Sequence, residues 1–176
     1  MAEVKDLLNR ITMKAIVAVD LNWGIGYNVK LLQVIPDDMR LFRQMTLHKA
    51  VVMGRATFES LSNKKPLKDR INIVLSRTGC FDGVTMCHSL EHLFCELEKI
   101  LVDEVYVIGG ETIYKMLLPF CKEAYVTKIK NTYSADTYFI NLDEDPAWKL
   151  ESSSDLKKYN DVEYQFTKYR NKCAFT

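Results

Sequence analysis

Short apolar blocks separated by polar ones dominate the chain, and their spacing predicts its secondary structure. Five of these blocks are rich in β-branched residues and predict buried strands at residues 14–20, 50–54, 71–76, 104–110 and 123–130. Two later runs, WKLESSS and VEYQFTKYR, alternate apolar with polar residues and predict an antiparallel pair near the C-terminus. The segment from Leu21 to Ile35 has two glycines and no clear period, so we expect a long loop there.

Helical periodicity appears between the strands. One helix is predicted from Pro36 to Thr46, with proline at its first position, and an amphipathic one over residues 89–100. A short helix follows Gly54, and another runs from about Glu111 until Pro119 ends it. Apolar strands that alternate with helices predict an α/β domain with a largely parallel sheet covered on both faces. In such sheets ligands bind beyond the carboxyl ends of the strands.

Two adjacent aspartates stand in the first turn of the helix that begins at Pro36. At about 100° per residue, Asp38 falls in the middle of the apolar arc of this helix, and Asp37 falls at its edge. Interaction with the helix dipole, worth about 0.3–1 kcal/mol, accounts for Asp37. It does not account for Asp38, because an unpaired carboxylate on an apolar face costs several kcal/mol. We therefore expect Asp38 to point inward and to be paired by a protein donor or by a ligand.

Three predicted strands end in groups that can bind phosphate. The first is followed by Gly54 and Arg55, the second by Gly109-Gly110, and the third by Ser76 and Arg77. Free backbone N–H groups, glycines and guanidinium groups are typical of anion sites. Each motif alone also fits an ordinary tight turn, and the glycine pair is not a GxGxxG motif. Together they favour a phosphate-bearing ligand at the carboxyl edge of the sheet.

Composition mainly excludes other classes of protein. The chain has 176 residues and a net charge of +1, so no electrostatic case exists for binding nucleic acid or an anionic membrane. Its five cysteines form no CxxC pair and its three histidines are scattered, so we expect reduced thiols in a cytoplasmic protein and no metal site. The first twelve residues lack a long apolar segment and are expected to form a short extension or a single helical turn.

These features occur in the order found in dihydrofolate reductases, and the chain resembles that family over about residues 14–171. The segments that carry the resemblance are AVDLNWGIG, IPDDMRLFRQMT, VVMGRATFESL, RINIVLSR, VYVIGGETIY, YVTKI and ADTYF. The resemblance implies one domain over residues 13–171, with a tail at 172–176, built on an eight-stranded, mostly parallel sheet with four helices. It also implies reduction of 7,8-dihydrofolate to tetrahydrofolate, for one-carbon metabolism, by hydride transfer from NADPH to C6.

The resemblance further implies roles for individual residues. Asp38 would promote protonation at N5 of the pterin, with Thr127 as its partner, and Leu31 would belong to the loop that closes over the nicotinamide. The implied substrate-binding residues are Ile16, Val17, Ala18, Asp38, Met39, Phe42, Leu61, Arg70, Ile108 and Thr127. The implied NADPH-binding residues are Ala18, Ile25, Gly26, Gly54, Arg55, Thr57, Ser76, Arg77, His88, Ile108, Gly109, Gly110, Glu111, Thr112, Ile113 and Tyr114. Among these, Arg70 would pair with the glutamate α-carboxylate of the substrate.

The chain departs from the family pattern at two points. Leu32-Gln33 stands where many members have Pro-Trp, and Ala56 replaces a residue that is often basic. Gln33 is therefore a candidate to hold the water that the tryptophan orients. A pyrimidine reductase of riboflavin synthesis and a non-catalytic folate- or nucleotide-binding module are the alternative functions. The acid-bearing helix argues against the first, and the acid together with the Gly-Gly turn argues against the second. We expect a monomer that also binds antifolate-like molecules.

Overall fold

The computed structural model describes residues 2–174. Its α-helices are α1 (Ala2–Arg10), α2 (Pro36–Thr46), α3 (Arg55–Ser60), α4 (Leu90–Lys99) and α5 (Glu111–Leu117). Its strands are β1 (Thr12–Val19), β2 (Gly24–Tyr27), β3 (Lys30–Leu31), β4 (Ala50–Gly54), β5 (Ile71–Leu75), β6 (Thr85–Cys87), β7 (Glu104–Gly109), β8 (Glu123–Ile129), β9 (Thr137–Tyr138), β10 (Trp148–Ser153), β11 (Lys157–Tyr159) and β12 (Val162–Asn171). Short 3-10 turns follow α3 and α5, at Ser62–Lys64 and Leu118–Phe120.

The central sheet has the strand order β10-β12-β8-β1-β7-β4-β5-β6, and the short strand β11 pairs with β12. The strands from β8 to β6 in this order are mutually parallel. Strand β12 is antiparallel to both β8 and β10, so the predicted C-terminal pair is confirmed. The carboxyl ends of β1, β4, β5 and β7 therefore meet along one edge, where a parallel sheet binds its ligands.

Helices cover both faces of this sheet. Along β4, the side chains of Ala50 and Val52 enter the core beneath α1, α4 and α5, whereas those of Val51 and Met53 pack toward α2 and α3. This alternation is the two-residue period of a strand buried on both faces, and it explains why the sequence of β4 is apolar throughout. The predicted fold class is confirmed.

The loop predicted from Leu21 to Ile35 contains strands β2 and β3, which form a second sheet with β9 in the order β3-β2-β9. The prediction missed them because β2 has the sequence GIGY, in which glycine replaces two of four side chains and erases any apolar alternation. Backbone pairing of Gly26 with Leu31 and Thr137 defines the strand instead. Strand β6, only three residues long, was also absent from the prediction.

The N-terminal segment forms a helix of nine residues rather than a single turn. Leu7 and Leu8 are buried in the main core, with Leu8 only 2% exposed. The guanidinium group of Arg10 donates hydrogen bonds to the carbonyls of Leu97, Glu98 and Ile100 at the end of α4. Helix α1 thus packs on the same core as the sheet, and the domain boundary after residue 12 stays a prediction. Residues 1, 175 and 176 of the predicted extension and tail lie outside the described residues.

Three further observations concern the cysteines, membrane-spanning helices and metal-ligating groups of the described residues. All five cysteines are free thiols, and Cys87 and Cys121 are buried. Within residues 2–174, no helix combines the length and apolarity that crossing a membrane would need. In the same range, no group of three or more His, Cys, Asp or Glu side chains is arranged to hold a metal ion.

Candidate active site

A cavity of about 1450 Å³ lies at the carboxyl edge of the parallel strands. Its floor comes from the ends of the central strands, and helices α2 and α3 and the β2–β3 hairpin form its walls. The lining includes most of the predicted site residues: Ile16, Val17, Ala18, Ile25, Gly26, Leu31, Asp38, Met39, Phe42, Gly54, Arg55, Thr57, Leu61, Ser76, Arg77, His88, Ile108, Gly109, Gly110, Glu111, Thr112, Ile113 and Tyr114. The folded chain therefore gathers residues from widely separated elements and loops into one site.

Asp38 projects into the cavity from the first turn of α2, as the helical periodicity predicts. The hydroxyl of Thr127 donates a hydrogen bond of 2.6 Å to its Oδ1. Thr127 lies on β8 and is only 4% exposed; it does not line the cavity but stands behind Asp38. Within residues 2–174, no Lys or Arg nitrogen lies within 4.0 Å of the Asp38 carboxylate. A neutral hydroxyl is thus its protein donor, and the carboxylate carries an uncompensated charge.

The environment of Asp38 changes its acidity. Burial raises the pKa of the carboxyl above its usual range, the hydrogen bond from Thr127 lowers that pKa, and the nearby charge of Asp37 raises it. Asp37 has different partners: it accepts a hydrogen bond of 3.0 Å from the hydroxyl of Tyr164 and one of 3.2 Å from Arg40. Asp37 is therefore bonded outside the cavity, and of the two aspartates Asp38 is the one available to a ligand inside it.

Tyr114 of α5 is a buried residue that borders the cavity. Its hydroxyl donates a buried hydrogen bond of 2.7 Å to the carbonyl of Ile16 on β1, and its ring packs edge-on against Phe139. Burial raises the pKa of Tyr114 far above its usual range, so the hydroxyl stays protonated and remains a donor. This bond fixes α5 against β1 at the position where both elements border the cavity.

Two glycine turns form the middle of the cavity. A Cβ atom at Gly54 would lie 3.0 Å from Cγ1 of Ile113, and one at Gly110 would lie 3.5 Å from the hydroxyl oxygen of Thr57. The Gly109-Gly110 peptide bond is cis, and Gly109 has a φ of 123°, which favours glycine. The turns after β4 and β7 thus approach one another closely, and their glycines leave backbone groups accessible to a ligand.

Cations gather at the end of the cavity beyond these turns. Arg55 is hydrogen-bonded to Glu59 at 2.8 Å, and Arg77 follows strand β5. Nδ1 of His88 lies 2.8 Å from the carbonyl oxygen of Ser76. The two arginines, the hydroxyl of Ser76 and an imidazole therefore border one end of a cavity that has Asp38 at the other.

The β2–β3 hairpin closes the remaining side of the cavity. The backbone N–H of Asn28 donates to Oδ2 of Asp136 at 2.9 Å, and the N–H of Asp136 donates to the carbonyl of Gly26 at 2.9 Å. Buried Asp20 accepts hydrogen bonds from the backbone of Asn22, Gly24 and Tyr133. The loop between β8 and β9 therefore holds the hairpin over the cavity.

Besides Thr127, two further predicted residues, Arg70 and Gln33, lie away from the cavity lining. Arg70 donates to the carbonyl of Lys68 at 2.7 Å and to the hydroxyl of Thr46 at 3.2 Å, so its guanidinium group is bonded within the protein and does not line the cavity. Burial and the neighbouring Arg43 lower its pKa. The amide of Gln33 is bonded to Tyr133 and to the carbonyl of Val34, so it does not reach into the cavity. A role for Gln33 in holding water stays a prediction, as does the carboxylate contact of Arg70.

The structure adds lining residues that the sequence interpretation missed. They are Val29, Lys30, Val34, Ala56, Ser60, Ser62, Lys65, Pro66, Leu67, Lys68, Leu75, Ser89, Leu90, Met116, Asp136 and Thr137. Most of these residues are neighbours of predicted site residues in the sequence. The lining residues between 60 and 68, at the end of α3 and beyond it, have no periodic spacing that could have identified them. Asp136 and Thr137, at the start of β9, reach the site through long-range strand pairing, which local pattern cannot reveal.

The fold and the cavity define a single-domain α/β protein whose ligand site lies at the carboxyl edge of a parallel sheet. The half-buried carboxylate of Asp38 lies at one end of this site, and cations lie at the other. The family model for dihydrofolate reductase matches residues 12–171, and the chain belongs to that family. The resemblance noted in the sequence is confirmed.

Individual relatives agree with this assignment. Dihydrofolate reductase from Bacillus subtilis is 35% identical, over 89% of this chain and 93% of that protein. The bifunctional dihydrofolate reductase-thymidylate synthase from Glycine max is 33% identical over 90% of this chain, which spans only 33% of that protein. The structure of dihydrofolate reductase from Enterococcus faecalis complexed with NADP(H) and RAB-propyl has a TM-score of 0.81 at 29% identity, covering 91% of this chain and 96% of that chain.

Proposed function

We propose that the protein reduces 7,8-dihydrofolate to 5,6,7,8-tetrahydrofolate with NADPH, acting as a cytoplasmic monomer that supplies one-carbon metabolism. The observation that carries the proposal is the Asp38 carboxylate, which lines the cavity and, among residues 2–174, accepts a hydrogen bond only from the hydroxyl of Thr127. A flat heterocycle with adjacent N–H donors satisfies such a carboxylate. Membership of the dihydrofolate reductase family and similarity to a structure complexed with NADP(H) support the same substrates.

The residues of the cavity suit NADPH. A side chain at Gly54 or Gly110 would occupy the space where the two glycine turns meet, and its absence lets a pyrophosphate approach the backbone. Arg55, Ser76 and Arg77 at the cationic end would hold the 2′-phosphate, because a guanidinium group binds phosphate bidentately. Bound in this way, NADPH supplies the hydride for the reaction.

Asp38 would orient the pterin and promote its protonation. A carboxylate that faces the pterin ring accepts hydrogen bonds from the N–H groups of the ring and so fixes the ring in one orientation. Burial raises the pKa of Asp38, which brings it nearer to the pH at which it exchanges a proton with the substrate. The β2–β3 hairpin, with Ile25 and Leu31 in the lining, would exclude water from the reacting atoms. The apolar side chains of Met39 and Phe42 would pack against the substrate.

The test follows NADPH absorbance with dihydrofolate for the wild type, Asp38→Asn and the control Asp37→Asn, between pH 5 and 9. We expect a loss of about 10²–10⁴-fold in Asp38→Asn at neutral pH, the range typical of general acid–base groups. Partial recovery is expected at acid pH, where protonated substrate no longer needs the carboxylate. Asp37→Asn keeps near-wild-type rates, because Asp37 is bonded to Tyr164 and Arg40.

The other outcomes separate the alternatives. Binding of both ligands without NADPH oxidation by the wild type would make the chain a binding module. Oxidation with an aminopyrimidine ribityl substrate, but not with dihydrofolate, would identify a pyrimidine reductase. Equal rates for Asp38→Asn and the wild type would refute the proton route through Asp38.

A further inference from the structure

Strand β9 lies at the edge of the small sheet, and a side chain of α5 bonds its backbone. In the order β3-β2-β9, β9 pairs with β2. The backbone N–H of Tyr138 in β9 donates a hydrogen bond of 3.1 Å to Oε1 of Glu111. Glu111 is the first residue of α5 and directly follows the Gly109-Gly110 turn. One side chain therefore joins the glycine turn to an edge strand of the other sheet.

Strand β9 in turn holds the β2–β3 hairpin. Oδ2 of Asp136, two residues before Tyr138, accepts a hydrogen bond of 2.9 Å from the backbone N–H of Asn28 at the tip of the hairpin. The N–H of Asp136 donates to the carbonyl of Gly26, also at 2.9 Å. The contacts of Glu111 with Tyr138 and of Asp136 with Asn28 therefore connect the glycine turn to the hairpin tip.

The chain enters the core directly after Tyr138. Phe139 is only 3% exposed, and its ring packs edge-on against Tyr114 of α5, with the centroids 4.8 Å apart. Residues 136–137, on the other side of Tyr138, border the cavity instead. The hydrogen bond to Glu111 thus lies where β9 leaves the core, and its loss would loosen the segment that holds the hairpin.

The charge of Glu111 limits what its side chain can bind in the cavity. The side chain lines the cavity and is 29% exposed. A carboxylate repels a pyrophosphate, which is the group proposed to approach the glycine turns. Nζ of Lys115, an exposed residue one turn further along α5, lies 3.6 Å from the same Oε1. Such an exposed pair contributes little, so the N–H of Tyr138 is the main partner of this carboxylate among residues 2–174.

We propose that Glu111 is a positioning residue, which acts through Tyr138 and Asp136 to hold the β2–β3 hairpin closed over the nicotinamide of NADPH. This inference rests on the proposed function, and it gives Glu111 a partner in the protein rather than a direct contact with the cofactor. The hairpin must open before the nicotinamide can leave, whereas the 2′-phosphate end beside Arg55 and Arg77 lies at the cationic end of the cavity. The hydrogen bond should therefore slow the release of NADPH, but not that of a nucleotide without nicotinamide.

Hydrogen exchange in the chain without ligand tests the connection itself. NMR would follow individual backbone amides in the wild type and in Glu111→Ala. We expect the amides of Tyr138 and Asn28 to exchange about 3–10-fold faster in Glu111→Ala, the range that the net loss of one hydrogen bond allows. The amide of Tyr133 is the internal control, because it donates to a buried aspartate elsewhere on the loop between β8 and β9 and should be unchanged.

Two further variants separate the acceptor oxygen from the charge. Glu111→Gln keeps a side-chain oxygen that can accept the N–H of Tyr138, so it should restore most of the protection that Glu111→Ala loses. Lys115→Met removes the exposed ion pair and keeps the acceptor, so its exchange should match the wild type. Equal exchange in Glu111→Gln and Glu111→Ala would overturn the assigned hydrogen bond.

Stopped-flow displacement from the same four proteins measures the release of two nucleotides. One is NADPH, and the other is 2′-phospho-ADP-ribose, which is NADPH without its nicotinamide. We expect Glu111→Ala to release NADPH about 3–10-fold faster, in line with its exchange rates, and to release 2′-phospho-ADP-ribose at the wild-type rate. Lys115→Met should release both as the wild type does.

Three results would overturn the proposal. Faster exchange at Tyr138 but not at Asn28 would show that the bond to Glu111 acts only locally. Equal acceleration of both nucleotides would place Glu111 in direct contact with the part that they share. Unchanged release of NADPH from Glu111→Ala would refute the role in closure. Failure of the wild type to bind NADPH would refute the proposed function, whereas faster exchange at Asn28 in Glu111→Ala would still support the hold of Glu111 on the hairpin.

Discussion

Replacing Thr127 with valine tests whether the Asp38 carboxylate is held by this one hydroxyl. The substitution preserves shape and removes the donor of a 2.6 Å hydrogen bond at a site that is 4% exposed. A hydrogen bond to a charged group contributes about 1.5–3 kcal/mol, against about 0.5–1.5 kcal/mol for a neutral pair. We therefore expect Thr127→Val to lower the free energy of unfolding at pH 7 by about 1.5–3 kcal/mol.

The same substitution should have a smaller effect in the Asp38→Asn background, where an amide has replaced the carboxylate. There the lost bond is neutral, so a cost of about 0.5–1.5 kcal/mol remains. The double-mutant cycle should therefore give a coupling free energy of about 1–2 kcal/mol between the two side chains. Urea unfolding of the four proteins at pH 7, followed by tryptophan fluorescence, measures this coupling.

Thr127→Ser is the control, since it retains the hydroxyl while losing a methyl group. Additive effects of Thr127→Val and Asp38→Asn, within about 0.3–0.5 kcal/mol, would refute the assigned hydrogen bond. So would a coupling energy that persisted undiminished at a pH where Asp38 is protonated. Because the bond lowers the pKa of Asp38, its loss must raise that pKa further.

Three further predictions concern stability. Burial raises the folded-state pKa of Asp38, so the contribution of its carboxyl group to the free energy of unfolding is favourable below the unfolded-state pKa and is lost as the pH rises through the folded-state pKa. Asp38→Asn should therefore raise the free energy of unfolding at pH 7 by on the order of 1 kcal/mol, and by less at pH 4, as measured by urea unfolding. Leu8→Ala should lower the free energy of unfolding by about 2–5 kcal/mol, whereas Lys5→Ala on the exposed side of α1 should change it by less than about 0.5 kcal/mol; equal effects would refute the packing of α1. Tyr114→Phe should cost about 1–3 kcal/mol by leaving the buried carbonyl of Ile16 without its donor, and an unchanged denaturation midpoint would contradict that bond.

Periodicity predicted the elements whose side chains alternate between core and solvent. Helix α2 was predicted with its observed bounds, Pro36 to Thr46, because apolar residues recur on one face. The same period placed Asp38 inside the cavity without knowledge of any partner. Burial leaves a periodic trace in a sequence, and a polar residue that interrupts this trace points to a site.

Contacts made by backbone atoms, or between distant segments, leave no such trace. The pairing of Gly26 with Thr137 forms a wall of the cavity, yet glycine contributes no side chain to a pattern. Thr127 stands 89 residues from the carboxylate that it binds, and family resemblance, not spacing, suggested this pair. Resemblance also assigned Arg70 to the substrate, and that contact stays a prediction; its guanidinium group is bonded to Lys68 and Thr46. These relations depend on the folded chain as a whole.

The two aspartates at the start of α2 show how one helical step separates a carboxylate bound by the protein from one that faces the cavity. Both gain from the dipole of the same helix. Asp37 accepts hydrogen bonds from Tyr164 and Arg40 and is satisfied by the protein. Asp38, rotated by about 100°, meets a single hydroxyl and the cavity. The fold retains a half-buried, partly desolvated carboxylate whose cost an amide would relieve, and binding of a heterocycle with N–H donors is the event that would offset that cost.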